Sequence, residues 1–312
     1  MIVALGGGIG ASKLLAGLCQ VIDPSELTVI VNTGDDFALH GLTICPDLDT
    51  VAYTLAGLAD RERGWGIEGD TFNALGWLDR YGREAWFNLG DRDLATHLHR
   101  TALLRQGIAL TDVTDLIRRS LGVRARILPM SNEPVSTIVL TDQGPQLFQE
   151  YLVRDGARRA VRGVSFEGVE RSRPAPGVLE AIDSAKGIIL CPSNPVISIG
   201  PILAVPGIRN ALRTTEAPVM AISPVVGGRS LKGPTDKFLA GLGHEVSALS
   251  VARLYQEFLD LFIVDRLDAE LLPGIEALPV KAVAAETVMH NLESKISLAK
   301  EAVSCLASLR PA

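Results

Sequence analysis

Ile2-Val3-Ala4-Leu5-Gly6-Gly7-Gly8-Ile9-Gly10-Ala11-Ser12-Lys13-Leu14-Leu15 sets a short apolar run directly before a cluster of glycines, and the glycines directly before a helical pattern. Leu14, Leu15 and Leu18 share one helix face, so the segment is expected to be strand, glycine turn and helix. Closely spaced backbone N–H groups at a helix N-terminus favour a phosphate, which makes Gly7, Gly8, Gly10 and Lys13 candidate binders of an anionic ligand. Gly6, Gly8 and Ala11 also fit the G-x-G-x-x-A dinucleotide pattern. The plainer alternative is a tight turn needed only to pack the helix on the strand.

Working outward, Leu27 to Val31 forms a second buried run that stops at Asn32-Thr33-Gly34-Asp35-Asp36, which completes a βαβ opening. Further parallel strands are expected at Gly187 to Leu190, Val219 to Ile222, Leu261 to Val264 and Val280 to Ala284, each flanked by helical stretches. This alternation predicts an α/β chain, a Rossmann-like, doubly wound and mainly parallel sheet in a single domain over 1–312. The region from about 52 to 155 breaks the pattern. Residues 52–122 have helical spacing and 125–155 suggest short antiparallel strands, together an insertion that covers the ligand site. Val288 to Leu309 is expected to be a packing helix.

Composition narrows the class. A hydrophobic content of 47% with 21% charged residues describes an ordered globular chain. A formal net charge of −6 argues against a nucleic-acid-coating protein, because such binding draws on clustered Lys and Arg. Cys19, Cys45, Cys191 and Cys305 show no C-x-x-C spacing and are expected to be reduced thiols. With neither a signal-peptide pattern nor a membrane-length apolar run, a cytoplasmic protein with no membrane partner is expected.

Ligands of a parallel sheet bind beyond the carboxyl ends of the strands, so the segments that follow the strands are the informative ones. Asp35-Asp36 and Pro46-Asp47-Leu48-Asp49-Thr50 hold four carboxylates within fifteen residues, opposite the presumed phosphate loop. Because Mg²⁺ is commonly held by one or two carboxylates plus substrate phosphates, Asp47 and Asp49 are the candidate metal ligands. Asp36, Asp47 and Asp49 are the candidate catalytic acids. Leu89-Gly90-Asp91-Arg92-Asp93 opens a helix, where Asp91 or Asp93 serves either a ligand or the positive helix end. Cys191-Pro192-Ser193-Asn194-Pro195-Val196-Ile197-Ser198-Ile199-Gly200 offers hydroxyl, amide and backbone donors to a nucleotide through Ser193, Asn194, Pro195, Ser198 and Gly200. Ser223, with Lys232, is expected to extend the same pocket, and Asn32 is a further candidate contact to the nucleotide or its phosphates. His40, His97, His99, His244 and His290 are assigned structural or surface roles. Trp65, Trp77 and Trp86 are assigned to packing, unless one stacks on a flat heterocycle.

Taken in order, these segments resemble the 2-phospho-L-lactate transferase family: the glycine loop, Val31 to Asp36, Pro46 to Thr50, Gly64-Trp65-Gly66 with Asp70-Thr71, Leu89 to Asp93, and Ser193-Asn194-Pro195 with Ser198 to Pro201. The resemblance implies a Rossmann-like homodimer that uses Mg²⁺ to move a phospholactyl-type group from a guanylyl diphosphate donor. The acceptor would be the ribityl hydroxyl of the deazaflavin Fo, and GMP would be released, a step in making coenzyme F420. It also implies that Asp49 contacts the deazaflavin, together with Asn88 and Asp91. The acid carried by the donor is left open between phospholactate, phosphoenolpyruvate and 3-phosphoglycerate, although Trp86-Phe87-Asn88 looks more like the bacterial branch. Asp49→Asn is expected to lower turnover far more than fold stability. Two rival readings remain at this point: a non-catalytic nucleotide-sugar-binding regulator resembling gluconeogenesis factors, and a nicotinamide-dependent oxidoreductase suggested by the glycine pattern and Asp35.

Overall fold

A computed structural model describes residues 1–309. Seven strands form one parallel sheet: β1 (Ile2–Gly6), β2 (Leu27–Val31), β3 (Arg126–Pro129), β4 (Gly187–Leu190), β5 (Val219–Ile222), β6 (Leu261–Asp265) and β7 (Lys281–Ala285). Their spatial order is β7-β6-β5-β4-β1-β2-β3, and every neighbouring pair is parallel. The order therefore reverses between β1 and β4, which opens a crevice at their carboxyl ends, the place where doubly wound sheets bind ligands.

Strand alternation divides the core into two layers. Ala4, Val29 and Ile189 face helix α1 (Gly8–Val21), helix α2 (Pro46–Leu55) and the long final helix Leu292–Leu309. Val3, Leu5 and Ile188 face the opposite layer, which includes Ile202, Leu212, Phe238 and Val251. Strands buried on both faces need continuous apolar runs, and β2 and β4 are buried throughout.

The strand at Arg126–Pro129 corrects one expectation. It pairs parallel with β2 as the edge of the main sheet and is not the first of the short antiparallel strands. The antiparallel sheet comes later, from Ser136–Thr141, Gly144–Leu147 and Val161–Glu167. Helices α3 (Asn73–Arg80), α4 (Asp91–Arg105) and α5 (Leu110–Ser120) lie between α2 and β3. The final helix begins at Leu292, because Ser294 and Asn291 exchange hydrogen bonds that cap it there.

Candidate active site

The crevice is built by two loops that interlock. Ser193, after β4, accepts from the Gly7 N–H at 3.3 Å and donates to the Gly7 carbonyl at 2.9 Å. A Cβ on Gly10 would strike the Pro192 carbonyl, and one on Gly7 would strike the Asp47 carboxylate. These glycines are therefore required by close approach as well as by the turn. Gly8 alone among the loop glycines adopts a positive φ, 69°.

A hairpin folds the two acidic segments together. Phe37–Leu39 pairs antiparallel with Leu42–Ile44, and both residues of its tight loop have positive φ, His40 at 52° and Gly41 at 76°. The chain thereby returns Pro46, the first residue of α2, to the end of β2. Asn32 Nδ2 donates to Asp47 at 3.0 Å, so the strand end orients the helical acid.

Asp47 and Asp49, two residues apart on one helix, point in different directions. Asp47 turns to the glycine loop, where burial pushes its carboxyl up to about 6 against hydrogen bonds from Asn32 and Gly8 that oppose the shift. Asp35 is also held well above the usual carboxylate range, first by burial and then by the neighbouring charges of Asp47 and Asp36, and its buried Oδ1 has no hydrogen-bond partner. Asp49 instead forms a buried ion pair with Arg100 of α4, with a 3.0 Å hydrogen bond from Nη1 to Oδ2 and a second contact from Nη2 to Oδ1.

Asp93, His97 and Arg100 share a face of α4. Arg100 Nη1 lies 3.1 Å from His97 Nδ1, and since a guanidinium only donates, Nδ1 accepts and Nε2 carries the ring proton. Nε2 faces an Asp93 oxygen at 3.3 Å, and the Tyr53 hydroxyl donates to the same carboxylate at 2.7 Å. Burial raises the Tyr53 hydroxyl pKa above its usual range, so it stays a donor. Asp49, Asp93 and His97 lie close enough to share a cation, but Arg100 already supplies the positive charge there.

Two adjoining cavities result. The larger, about 490 Å³, is lined by Gly7, Gly8, Gly10, Lys13, Asp35, Asp47, Ser193, Asn194, Ser198, Ser223, Lys232 and His290. Lys13 Nζ donates to the Met289 carbonyl at 2.9 Å, and burial, then the charges of Lys232 and Lys295, lower its pKa. The Asn194 side chain accepts from Val196 N–H through Oδ1, while its buried Nδ2 is unpartnered. The smaller cavity, about 260 Å³, is lined by Ile44, Asp47, Asp49, Tyr53, Trp65, Phe87, Asn88, Asp93 and His97.

Several expected site residues lie elsewhere. Asn32, Pro195 and Gly200 line neither cavity. Asn32 acts through Asp47, and Gly200 packs against Phe166 and the Pro195 carbonyl. Ser223 faces the larger cavity, but its hydroxyl is engaged with its own turn, donating to the Val225 carbonyl. Asp36 is withdrawn against the Cys45 thiol, its carboxyl raised by burial, and lines neither cavity, so the acid of that pair that faces the larger cavity is Asp35, itself buried. Asp91 caps α3: its carboxylate accepts from Thr71 Oγ1, Asn73 N–H and Ala74 N–H. Trp65 faces the smaller cavity, whereas Trp77 is 54% exposed and not core. His97, given a structural role from sequence, lines the same cavity. Its signal was the helical spacing of Asp93, His97 and Arg100.

Asp35 and Asp47 line the larger cavity with hard oxygen donors, one of them orphaned, a donor set of the chemistry that would suit a Mg²⁺ ion. Asp49 does not share that site, because i and i+2 side chains of a helix diverge and its oxygens are on Arg100.

A parallel α/β sheet carries a glycine loop, a basic and acidic cavity at its switch point that suits an anionic group, and an aromatic cavity beside it that suits a flat ring. A family model described as 2-phospho-L-lactate transferase CofD matches residues 2–302, and the chain belongs to that family. The 2-phospho-L-lactate transferase of Methanothermobacter thermautotrophicus is 44% identical over 300 residues, covering 96% of each chain. The phosphoenolpyruvate transferase of Streptomyces griseus is 43% identical over 315 residues, covering 99% of each. A crystal structure of a UPF0052 family member from Bacillus halodurans shares the fold, with a TM-score of 0.66 at 18% identity over 97% of this chain and 98% of that one. The chain is thus a transferase, and the nicotinamide and regulator readings give way.

Proposed function

We propose that this transferase of coenzyme F420 biosynthesis moves a phosphoacid group from a guanylyl diphosphate donor to the terminal ribityl hydroxyl of the deazaflavin Fo. The observation that carries the reading is the pair of cavities meeting at Asp47, one polar with lysines and a glycine loop, the other apolar with Trp65 and Phe87. In this assignment the glycine loop, Lys13 and Lys232 hold the donor phosphates, and the aromatic cavity takes the deazaflavin ring against Asp49 and Asn88. Mg²⁺, held by Asp35 and Asp47, would neutralise charge on the bridging phosphates. The hydroxyl oxygen forms a bond to the phosphorus that carries the acid. The P–O bond to the GMP phosphate breaks, and GMP leaves with the electron pair. Asp49, facing the acceptor cavity, orients the hydroxyl and accepts its proton late, since such transfers need positioning and charge stabilisation more than a strong base.

A homodimer and a cytoplasmic location accompany this reading. Among the described residues no helix is long and apolar enough to cross a membrane. Incubating purified protein with Fo, Mg²⁺ and each of the three guanylyl donors tests the proposal, with product and GMP followed by chromatography and mass. Nucleotide binding without product from any donor would favour a non-catalytic role instead.

A further inference from the structure

Five residues line both cavities and mark their junction: Gly8, Ile9, Asp47, Gln149 and Leu152. Gly8 has no side chain, Ile9 and Leu152 are apolar, and Asp47 is committed to the glycine loop and the cation. Gln149 is the remaining polar side chain at the place where the transferred group must sit. It is only 7% exposed, yet its carboxamide makes no hydrogen bond among the described residues. Its amide atoms are not among the sealed, unpartnered ones, so they open onto the cavities and both donor and acceptor are available to a ligand there.

The backbone around Gln149 fixes its aim. It is the N-cap of a π-helical turn, Glu150–Arg154, a rare form that recurs at functional sites. Tyr151 anchors that turn: it is fully buried, packs edge-on against Phe238 at 5.8 Å and donates to the Arg159 carbonyl at 3.2 Å. Gln149 and Leu152 therefore face the junction from a rigid support.

The charge distribution selects the ligand group. Lys13 and Lys232 line the larger cavity and account for phosphates, whereas no Lys or Arg lines the smaller one. Resting on the function proposed above, we propose that Gln149 is a specificity-determining residue whose Nε2 donates to the carboxylate of the transferred phosphoacid. That group is common to all three acids and absent from GMP, so Gln149 separates a true donor from other guanine nucleotides.

The test is calorimetric binding of GMP and of the intact phosphoenolpyruvyl guanylyl donor, with Mg²⁺ and without acceptor, to wild type, Gln149→Ala and Gln149→Glu. The expected result is GMP affinity within about twofold of wild type in both variants. Donor affinity should fall about tenfold in Gln149→Ala and further in Gln149→Glu, where two carboxylates meet. Melting temperatures and the shorter amide of Gln149→Asn control for folding. Equal losses for GMP and donor, or a Gln149→Glu protein that binds donor normally, overturn the assignment. So does a wild type that binds donor no tighter than GMP, which scores the inference even if no variant folds. If wild type shows the Gln149-dependent preference yet transfers nothing to Fo, the function reading fails and the Gln149 assignment stands.

Discussion

Asp47 and Asp49 share a helical turn but differ in what they touch, and their substitutions should differ accordingly. Asp47, held near 6 by burial, is destabilising when ionised in the metal-free protein. Its folded pKa is raised, so its contribution to stability is complete below the ordinary carboxylate pKa of about 4 and is lost as pH rises through about 6. Asp47→Asn is therefore expected to raise the metal-free melting temperature at pH 7 by roughly 2–5 °C and to flatten its pH dependence between about 4 and 6, while lowering Mg²⁺-dependent turnover by about a hundredfold or more. Differential scanning calorimetry in chelator and an initial-rate assay check the two halves. For Asp49→Asn the ion pair with Arg100 adds a stability cost to the expected loss of turnover: the substitution would strand the buried guanidinium, so a loss of about 3 kcal/mol in a denaturant titration should accompany it. Both acids were visible in the sequence. Their separate duties were not, because the partner of Asp49 lies on α4, fifty-one residues away.

At the scale of elements, the Leu89 to Asp93 and Asp70-Thr71 motifs turn out to be a reciprocal pair of helix caps. Asp91 caps α3, while Asp70 accepts from the Arg92 and Asp93 N–H groups and caps α4. Hydrogen bonds, led by that from Thr71, hold the Asp91 carboxyl down to about 2. Its stabilising contribution is accordingly present above the ordinary carboxylate pKa of about 4 and lost as pH falls toward 2. Asp91→Ala should lower the melting temperature at pH 7 and remove that part of the acid dependence, read by circular dichroism, with KM for Fo raised only indirectly through the displaced Asn88 segment. Gly10→Ala is expected to cost about 1–3 kcal/mol in chemical denaturation, because its Cβ meets the Pro192 carbonyl across the crevice. The glycine turn and the helix after it were legible because local pattern dictates them. The hairpin that brings Asp35 to Asp47 was not, since its strands are three residues each and its loop residue His40 is no ordinary turn former.

For the whole molecule, the parallel strands could be located in the sequence from continuous apolar runs, all but one. Arg126–Pro129 escaped because it begins with Arg, ends in Pro and sits at the sheet edge, where those residues are tolerated. The strand order explains why segments so far apart in sequence converge: loops after β1, β2 and β4 meet at one switch point, and the helical region between α2 and β3 supplies the aromatic cavity beside them. The measurement that tests this account most directly is single-turnover transfer to Fo by wild-type protein, with phosphoenolpyruvyl, phospholactyl and phosphoglyceryl guanylyl donors compared in Mg²⁺ and in chelator. One GMP is expected to be released for each deazaflavin product, with at least one donor and only when the cation is present. Product formed equally well in chelator would contradict the role given to Asp35 and Asp47, and no product from any donor would contradict the transfer itself.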